Sequence, residues 1–430
     1  MTPSEARKTK ISKIRAAFSR APLLGWLLGV LAAVMLERFF GTDLASAVGL
    51  PKIPALFGID IMLKKPLLIP NAVLYTILIY VLPVCIAAIA SASPANRIAK
   101  ALIRFPIVVS AAIHLGLLYL SLYYWTDISD YRLMVVKLML IAVMLTLSLN
   151  VINGYMGEFS CSHPGFMAIG AYCASVITIG LFVDAQMFGI QLFPEKFGPF
   201  LFPFALLAGG GLAAVSALLV AVPSFRTRGD YLAIISLAFL FIVKSLIENL
   251  EFVNGARGMS GQPDWSGLAT VFLWTVLCVW SINNFVNSTL GKALNAVRDN
   301  ELAAEAMTIN TRRTKMAGFL FAAFWAGIAG GLFAHVLRYV NPSTFGIQSL
   351  AEMLAMVYFG GLNSVYGSIV GAVSISLLGE ALRPLEIFKW VIIPLLLILV
   401  MVFRPTGLIA FREFNVESLL APKSKPKGED

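Results

Sequence analysis

Apolar runs of roughly 18 or more residues recur along this chain, and no other feature restricts its fold as tightly. They fall at 21–36, 72–91, 105–125, 133–151, 166–182, 199–222, 231–247, 268–286, 316–340, 350–378 and 387–403. A transmembrane helix needs about 20 such residues, a barrel strand only about 10. Within lipid every backbone N–H and C=O must find its partner inside the protein, so runs of this length select helices. Charged residues make up 13% of the chain, against about a quarter in a soluble domain. The fold class expected is all-α: a polytopic transmembrane helical bundle of about 10–12 membrane segments, including broken or re-entrant helices.

The formal net charge of +10 is a topology signal. Lys and Arg number six in residues 1–20, three in 92–104, two in 223–230, five in 287–316 and five after Phe403. The alternate connections (37–71, 126–132, 183–198, 249–267, 338–349 and 380–389) share ten. Positive charge concentrates on the cytoplasmic side, so the first set, both termini included, is expected there. This placement argues for membrane lipid and against nucleic acid as a partner. The N-terminal basic stretch and apolar core read as a signal anchor rather than a cleaved leader. Parity then requires the run at 350–378, interrupted by Gly360, Gly361 and Gly367, to double back as two half-depth pieces. One long tilted helix with a glycine packing face is the other arrangement the residues allow.

The chain lacks the motifs of catalysis. It has no GxxxxGK[ST] phosphate loop, no HExxH, no GxSxG and no GxGxxG opening a helix after a strand. Its four cysteines are scattered, and Cys161 with His163 is too small a set for a metal site. No catalytic residue, metal or bound cofactor is expected. His114 and His335 read as hydrogen-bonded packing residues, and Lys137 and Lys244 lie near enough to span ends to snorkel.

Two stretches break the apolar pattern. Residues 291–315 are polar and mostly helix-forming, between two strongly apolar runs. Asn300 can cap a helix starting at Glu301, whose carboxylate suits the positive end of the dipole. Ala303, Ala304, Ala306 and Met307 then offer a small apolar side able to lie in a partner's groove. In residues 153–170, Gly154, Gly157, Pro164 and Gly165 argue for irregular backbone at membrane depth, tolerated only where protein or a water-filled cavity covers it.

Three sets of residues, taken in order, resemble the LivM-type integral permease of the branched-chain amino acid ABC importers. The first runs from Leu149-Asn150-Val151-Ile152-Asn153-Gly154 through His163-Pro164-Gly165-Phe166 to Gly170-Ala171-Tyr172. The second is Pro223-Ser224-Phe225-Arg226-Thr227-Arg228-Gly229-Asp230-Tyr231, followed by Asn254-Gly255-Ala256-Arg257-Gly258-Met259-Ser260-Gly261. The third is Gly291 to Thr311, then Gly360-Gly361-Leu362-Asn363-Ser364 and Phe403-Arg404-Pro405-Thr406-Gly407-Leu408. The resemblance covers about residues 135–412. It implies a basic cytoplasmic stretch at 1–20, about three extra spans at 21–134, a permease core at 135–412 and a disordered cytoplasmic tail at 413–430.

The resemblance also implies a role for each break. Arg298, Asp299, Asn300, Glu301, Ala303, Ala304, Ala306 and Met307 match the loop that docks on ATPase subunits. Arg226, Arg228 and Asp230 lie in the other short cytoplasmic connection, read either as topology-setting charge with a tight turn at Gly229 or as a second contact beside the ATPase. Asn150, Asn153, Ser160, Ser162 and His163 fall along the translocation path, beside the broken-helix glycines Gly154, Gly157, Gly360, Gly361 and Gly367. Thr308 departs from the family pattern, which has glycine after the alanine-rich helix. The implied partners are a homologous permease in a heterodimer, two ATP-binding subunits that use ATP and Mg, and a periplasmic substrate-binding protein, all at a bacterial inner membrane. The implied substrate is leucine, isoleucine or valine, with urea, short amides or other amino acids as the nearest alternatives. An ion-coupled carrier would need an inverted repeat and buried ion-coordinating carboxylates, and neither is evident in the sequence.

Overall fold

The computed structural model describes residues 21–54, 56, 66–183, 193–226, 231–404, 406–409 and 414–422. Among them, nine helices are long and apolar enough to cross a membrane: α1 (Leu23–Ala47), α2 (Ile69–Ala90), α4 (Ile107–Thr126), α5 (Asp130–Met156), α6 (His163–Phe182), α7 (Gly198–Ser224), α8 (Tyr231–Asn249), α9 (Leu268–Asn287) and α12 (Thr311–Leu337). Shorter helices are α3 (Ala92–Leu102), α10 (Thr289–Asp299), α11 (Glu301–Ala306), α13 (Ile347–Gly360), α14 (Val365–Ala381), α15 (Glu386–Phe403) and α16 (Val416–Leu420). With α13, α14 and the apolar part of α15, the count reaches the expected range. The fold is a polytopic helical bundle.

The chain divides into two compact units, residues 1–136 with 415–430, and residues 137–414. In the first unit, α1 packs against α2 and α4. Here the sequence expectation needs correction. The run expected to end at Leu36 continues as helix to Ala47, carrying Glu37 and Arg38 inside it. Glu37 is fully buried, and Arg132, placed by charge counting in a connection, is buried at the start of α5. Arg132 clamps Glu37 through both guanidinium nitrogens at 3.1 and 2.8 Å and donates to the Pro54 carbonyl at 2.9 Å. Tyr80 and Tyr75 also donate to Glu37, and Trp125 Nε1 donates to the Tyr80 hydroxyl at 3.0 Å. Both charges are thereby satisfied, the condition on which a buried ion pair is tolerable. The segment expected to be a disordered tail carries the short helix α16, which packs on α4 and α1.

In the second unit, α6, α7 and α12 form the centre. Their approach depends on glycine. A Cβ on Gly170 would overlap the Gly327 carbonyl, one on Gly330 the Met167 carbonyl, and one on Gly209 would meet the Gly170 carbonyl at 2.9 Å. In lipid, where apolar burial drives association weakly, such small-residue faces let backbones pack closely and gain dispersion energy. A two-stranded antiparallel pair, β1 (Met259–Ser260) with β2 (Tyr339–Val340), ties the loop before α9 to the segment after α12.

The long run at 350–378 resolves into α13 and α14, which are about 21 and 26 Å long at 1.5 Å per residue. Both are shorter than the roughly 30 Å hydrocarbon layer. They pack on each other through Gly360, Gly367 and Gly371, so the chain doubles back instead of continuing as one helix.

Candidate functional site

Two clusters carry the expected site residues. The first is built around a widened turn. The last six residues of α5, Val151–Met156, are wound as π-helix, ending at Gly157 in the left-handed region (φ 75°). Single π turns inside α-helices are uncommon and are frequent at functional positions. The residues after it form a short loop, and α6 begins at His163.

Asn150, Asn153, Ser160, Ser162 and His163 are all buried, but they form three separate arrangements. The Asn150 amide donates to the Ser364 carbonyl at 3.1 Å and the Ser368 hydroxyl at 2.6 Å, while its Oδ1 accepts from the Asn363 N–H at 3.2 Å. It therefore clasps the break between α13 and α14. The Asn153 Oδ1 accepts from the Ser160 N–H at 3.3 Å, and the Ser160 and Ser162 hydroxyls lie 2.9 Å apart. His163 Nε2 sits 3.2 Å from the Ser148 hydroxyl, and its buried Nδ1 has no hydrogen-bond partner among the described residues. A buried polar atom left unpaired costs about 1–3 kcal/mol.

The glycines serve distinct purposes. A Cβ on Gly154 would overlap the Asn150 side chain, and one on Gly157 the stem of Arg298. Gly361 turns the chain between α13 and α14 at φ 126°. Gly360 and Gly367 lie where the two helices touch.

The second cluster is the polar segment, which folds as α10 and α11. Ser288 caps α10, its hydroxyl accepting from the Gly291 N–H at 3.3 Å. Asn300 caps α11 as its sequence position suggests, with Oδ1 accepting from the Ala303 N–H at 3.0 Å. The helix closes with the Ile309 N–H on the Ala304 carbonyl and the Thr308 N–H on the Glu305 carbonyl, the paired bonds of a Schellman turn. That turn requires Thr308 at φ 66°, where the family's glycine would sit without strain.

Burial revises the expected apolar face. Ala304 is buried within the chain, so its methyl group is not presented outward, whereas Ala303 and Ala306 are exposed. Met307 is 75% exposed, and Leu302, which sequence reasoning passed over, is 70% exposed. The helical spacing of Leu302 and Ala306 held the signal. Arg298 pairs with Asp299 at 2.8 Å. Arg226 is exposed just after α7; Arg228 and Asp230 lie outside the described residues.

The remaining histidines are packing residues, as expected. His114 Nδ1 lies 2.7 Å from the Ser110 carbonyl, and His335 bridges the Thr178 hydroxyl and the Gly331 carbonyl. Lys244 reaches toward Glu248 near the end of α8, both partly exposed. Among the described residues no group of three or more His, Cys, Asp or Glu is placed to hold a metal ion.

Residues 131–402 match the family model described as "Branched-chain amino acid transport system / permease component". The chain belongs to this family. It is 29% identical over 310 residues to the high-affinity branched-chain amino acid transport system permease protein LivM of Escherichia coli, covering 64% of this chain and 69% of that one. To the corresponding permease protein BraD of Pseudomonas aeruginosa it is 28% identical over 164 residues, 37% of this chain and 52% of the relative. The xylose transport system permease protein XylH of Escherichia coli is a more distant relative, 28% identical over 130 residues, 29% of this chain and 33% of that one. No solved structure gave a significant match. Both clusters of this permease lie inside the matched stretch, while α1 to α4 precede it.

Proposed function

We propose that this chain is the membrane-spanning permease subunit of an ATP-driven bacterial importer for leucine, isoleucine and valine. It forms the translocation path with a homologous permease, receives substrate from a periplasmic binding protein and engages two ATP-binding subunits. ATP and Mg are handled by those subunits, and this chain binds no cofactor itself. It resides in the inner membrane with both termini in the cytoplasm.

The observation that carries this reading is α11. It is a helix of six residues, capped at both ends, that presents Leu302, Ala303, Ala306 and Met307 outward. Exposed apolar side chains on a short rigid helix suit a groove on a partner, and complexes of this kind rest on a few such anchors. Arg226 supports a second contact at the same membrane face. Irregular backbone and buried polar groups meeting at Asn150, Asn153, Ser160, Ser162 and His163 support their reading as path residues, the way many transporters build their sites. An ion-coupled carrier fits less well. Among the described residues Glu37 is the one fully buried carboxylate, and Arg132 neutralises it.

Replacing both Leu302 and Met307 with Asp tests the docking role. Co-purified ATPase and uptake of radiolabelled leucine should fall about tenfold or more while membrane insertion is kept. Unchanged ATPase recovery and uptake would refute it.

A further inference from the structure

The polar segment is joined to the membrane interior by two side chains that arise outside its apolar face. The first is Lys315, in the second turn of α12. Its Nζ lies 2.7 Å from Glu158 Oε1 and 3.0 Å from Glu301 Oε2, and its side chain is only 11% exposed. One ammonium therefore holds the first residue of α11 and the loop just after the π turn. At such exposure the attraction is screened far less than at a free surface.

The second is Arg298 in the last turn of α10. Its stem lies over Gly157, a position that only glycine can fill, and its Nη1 donates to the Gly154 carbonyl at 3.3 Å, within the π turn itself. At its other end the π turn begins next to Asn150, whose amide clasps Asn363, Ser364 and Ser368 at the α13–α14 break. A continuous set of contacts thus runs from α11 through the π turn to the break. The Lys315–Glu158, Arg298–Gly154 and Asn150–Ser364 links join residues more than 140 apart in sequence.

The π turn is suited to be the moving part. It holds more residues per turn than α-helix. Releasing one residue into regular α-helix would rotate what lies beyond it by about 100°, the angle between successive residues. Two such windings are discrete alternatives, which coupling between distant sites needs.

We infer that Glu158, Lys315 and Arg298 are positioning residues that carry displacement of α11 into the π turn at Val151–Met156, and through Asn150 to the α13–α14 break. This rests on the reading of α11 as the ATPase-docking helix. The three residues set whether movement at one end is felt at the other.

The test uses the full complex purified from native membranes through a tag on this chain. Cys85, Cys161, Cys173 and Cys278 are replaced by Ala, and Leu362→Cys places a thiol reporter at the break. Two quantities are read: the change in labelling of that thiol by a water-soluble maleimide on adding ATP and Mg, and ATP hydrolysed per leucine imported in proteoliposomes. Glu158→Gln and Lys315→Met should leave the ATPases bound and hydrolysing within about twofold of the parent. The ATP-dependent change in labelling should shrink about fivefold or more, in the range of ordinary coupling energies, and ATP spent per leucine should rise in step. Lys315→Arg should restore both. Glu301→Gln alters an exposed side chain, cannot unfold the bundle, and should act in the same direction.

A parent complex that answers ATP, with Glu158→Gln, Lys315→Met and Glu301→Gln answering equally, overturns the relay and leaves the docking reading intact. A parent that comes out of the membrane without ATPases overturns the docking reading and the relay with it. A structural role alone would lower recovery of folded complex and leave the ATP-to-leucine ratio of the recovered fraction unchanged.

Discussion

Thr308 shows what one residue can settle and what it leaves strained. A β-branched residue at φ 66° is a true outlier, since its Cβ crowds the neighbouring carbonyl. The turn forms anyway because Ala304 and Glu305 supply both carbonyls of the Schellman pair, and Asn310 starts α12 two residues later by capping the Arg313 N–H. Thr308→Gly should therefore stabilise the turn by about 1 kcal/mol, seen as roughly fivefold slower amide exchange at Ile309. Slower exchange at Ile309 in the parent than in the glycine variant would contradict this. Asn300 was legible as a cap from residue type alone, and Thr308 stood out against the family's glycine, because both are local effects of residue type on backbone. The burial of Ala304 was not legible: on a six-residue helix, which side faces inward depends on α12 and α10, and no local pattern encodes that.

At the scale of elements, most of the helices could be read from apolar length, since lipid leaves the backbone no alternative. The break between α13 and α14 was also visible, because Gly360-Gly361-Leu362-Asn363-Ser364 supplies both a positive-φ turn and a Ser364 cap on the Gly367 N–H. The π winding of Val151–Met156 was not visible. Residue type hardly separates it from α-helix, and it is held by distant partners at Asn363 and Arg298. How closely α6 and α12 approach follows from glycine placement and can be tested. Gly330→Leu would drive a side chain into the Met167 carbonyl and should abolish recovery of monodisperse protein in detergent. Gly211→Ala, on α7 with open space around it, should leave thermal stability within about 0.5 kcal/mol. Equal recovery of the two variants would show that the packing face is looser than described.

At the scale of the whole molecule, the first unit has its own polar centre, Glu37 with Arg132, Tyr75, Tyr80 and Trp125. Charge counting assigned both Glu37 and Arg132 to connections, since each alone resembles a residue at a membrane boundary. Their pairing is a three-dimensional fact, 95 residues apart in the chain. Breaking one side leaves an uncompensated buried charge, so Glu37→Met or Arg132→Met alone should destabilise the first unit by about 3–5 kcal/mol. The double replacement should recover most of that loss. Thermal unfolding in detergent, followed at Trp125, reads the difference, and a double variant no better than the singles would show that the pair itself is not the cause.

The same pair also sets a problem in time. Ribosomes add about 5–20 residues each second, so roughly 5 to 20 s pass between the synthesis of Glu37 and that of Arg132. During that interval α1 is complete and apolar enough to leave for the bilayer, yet Glu37 lacks the guanidinium that clamps it in the folded unit. A charged group left alone in lipid is costly to hold there. The first helix of this chain must therefore be held at the insertion machinery, in contact with water, until the third long helix has been made and the beginning of α5 arrives to release it.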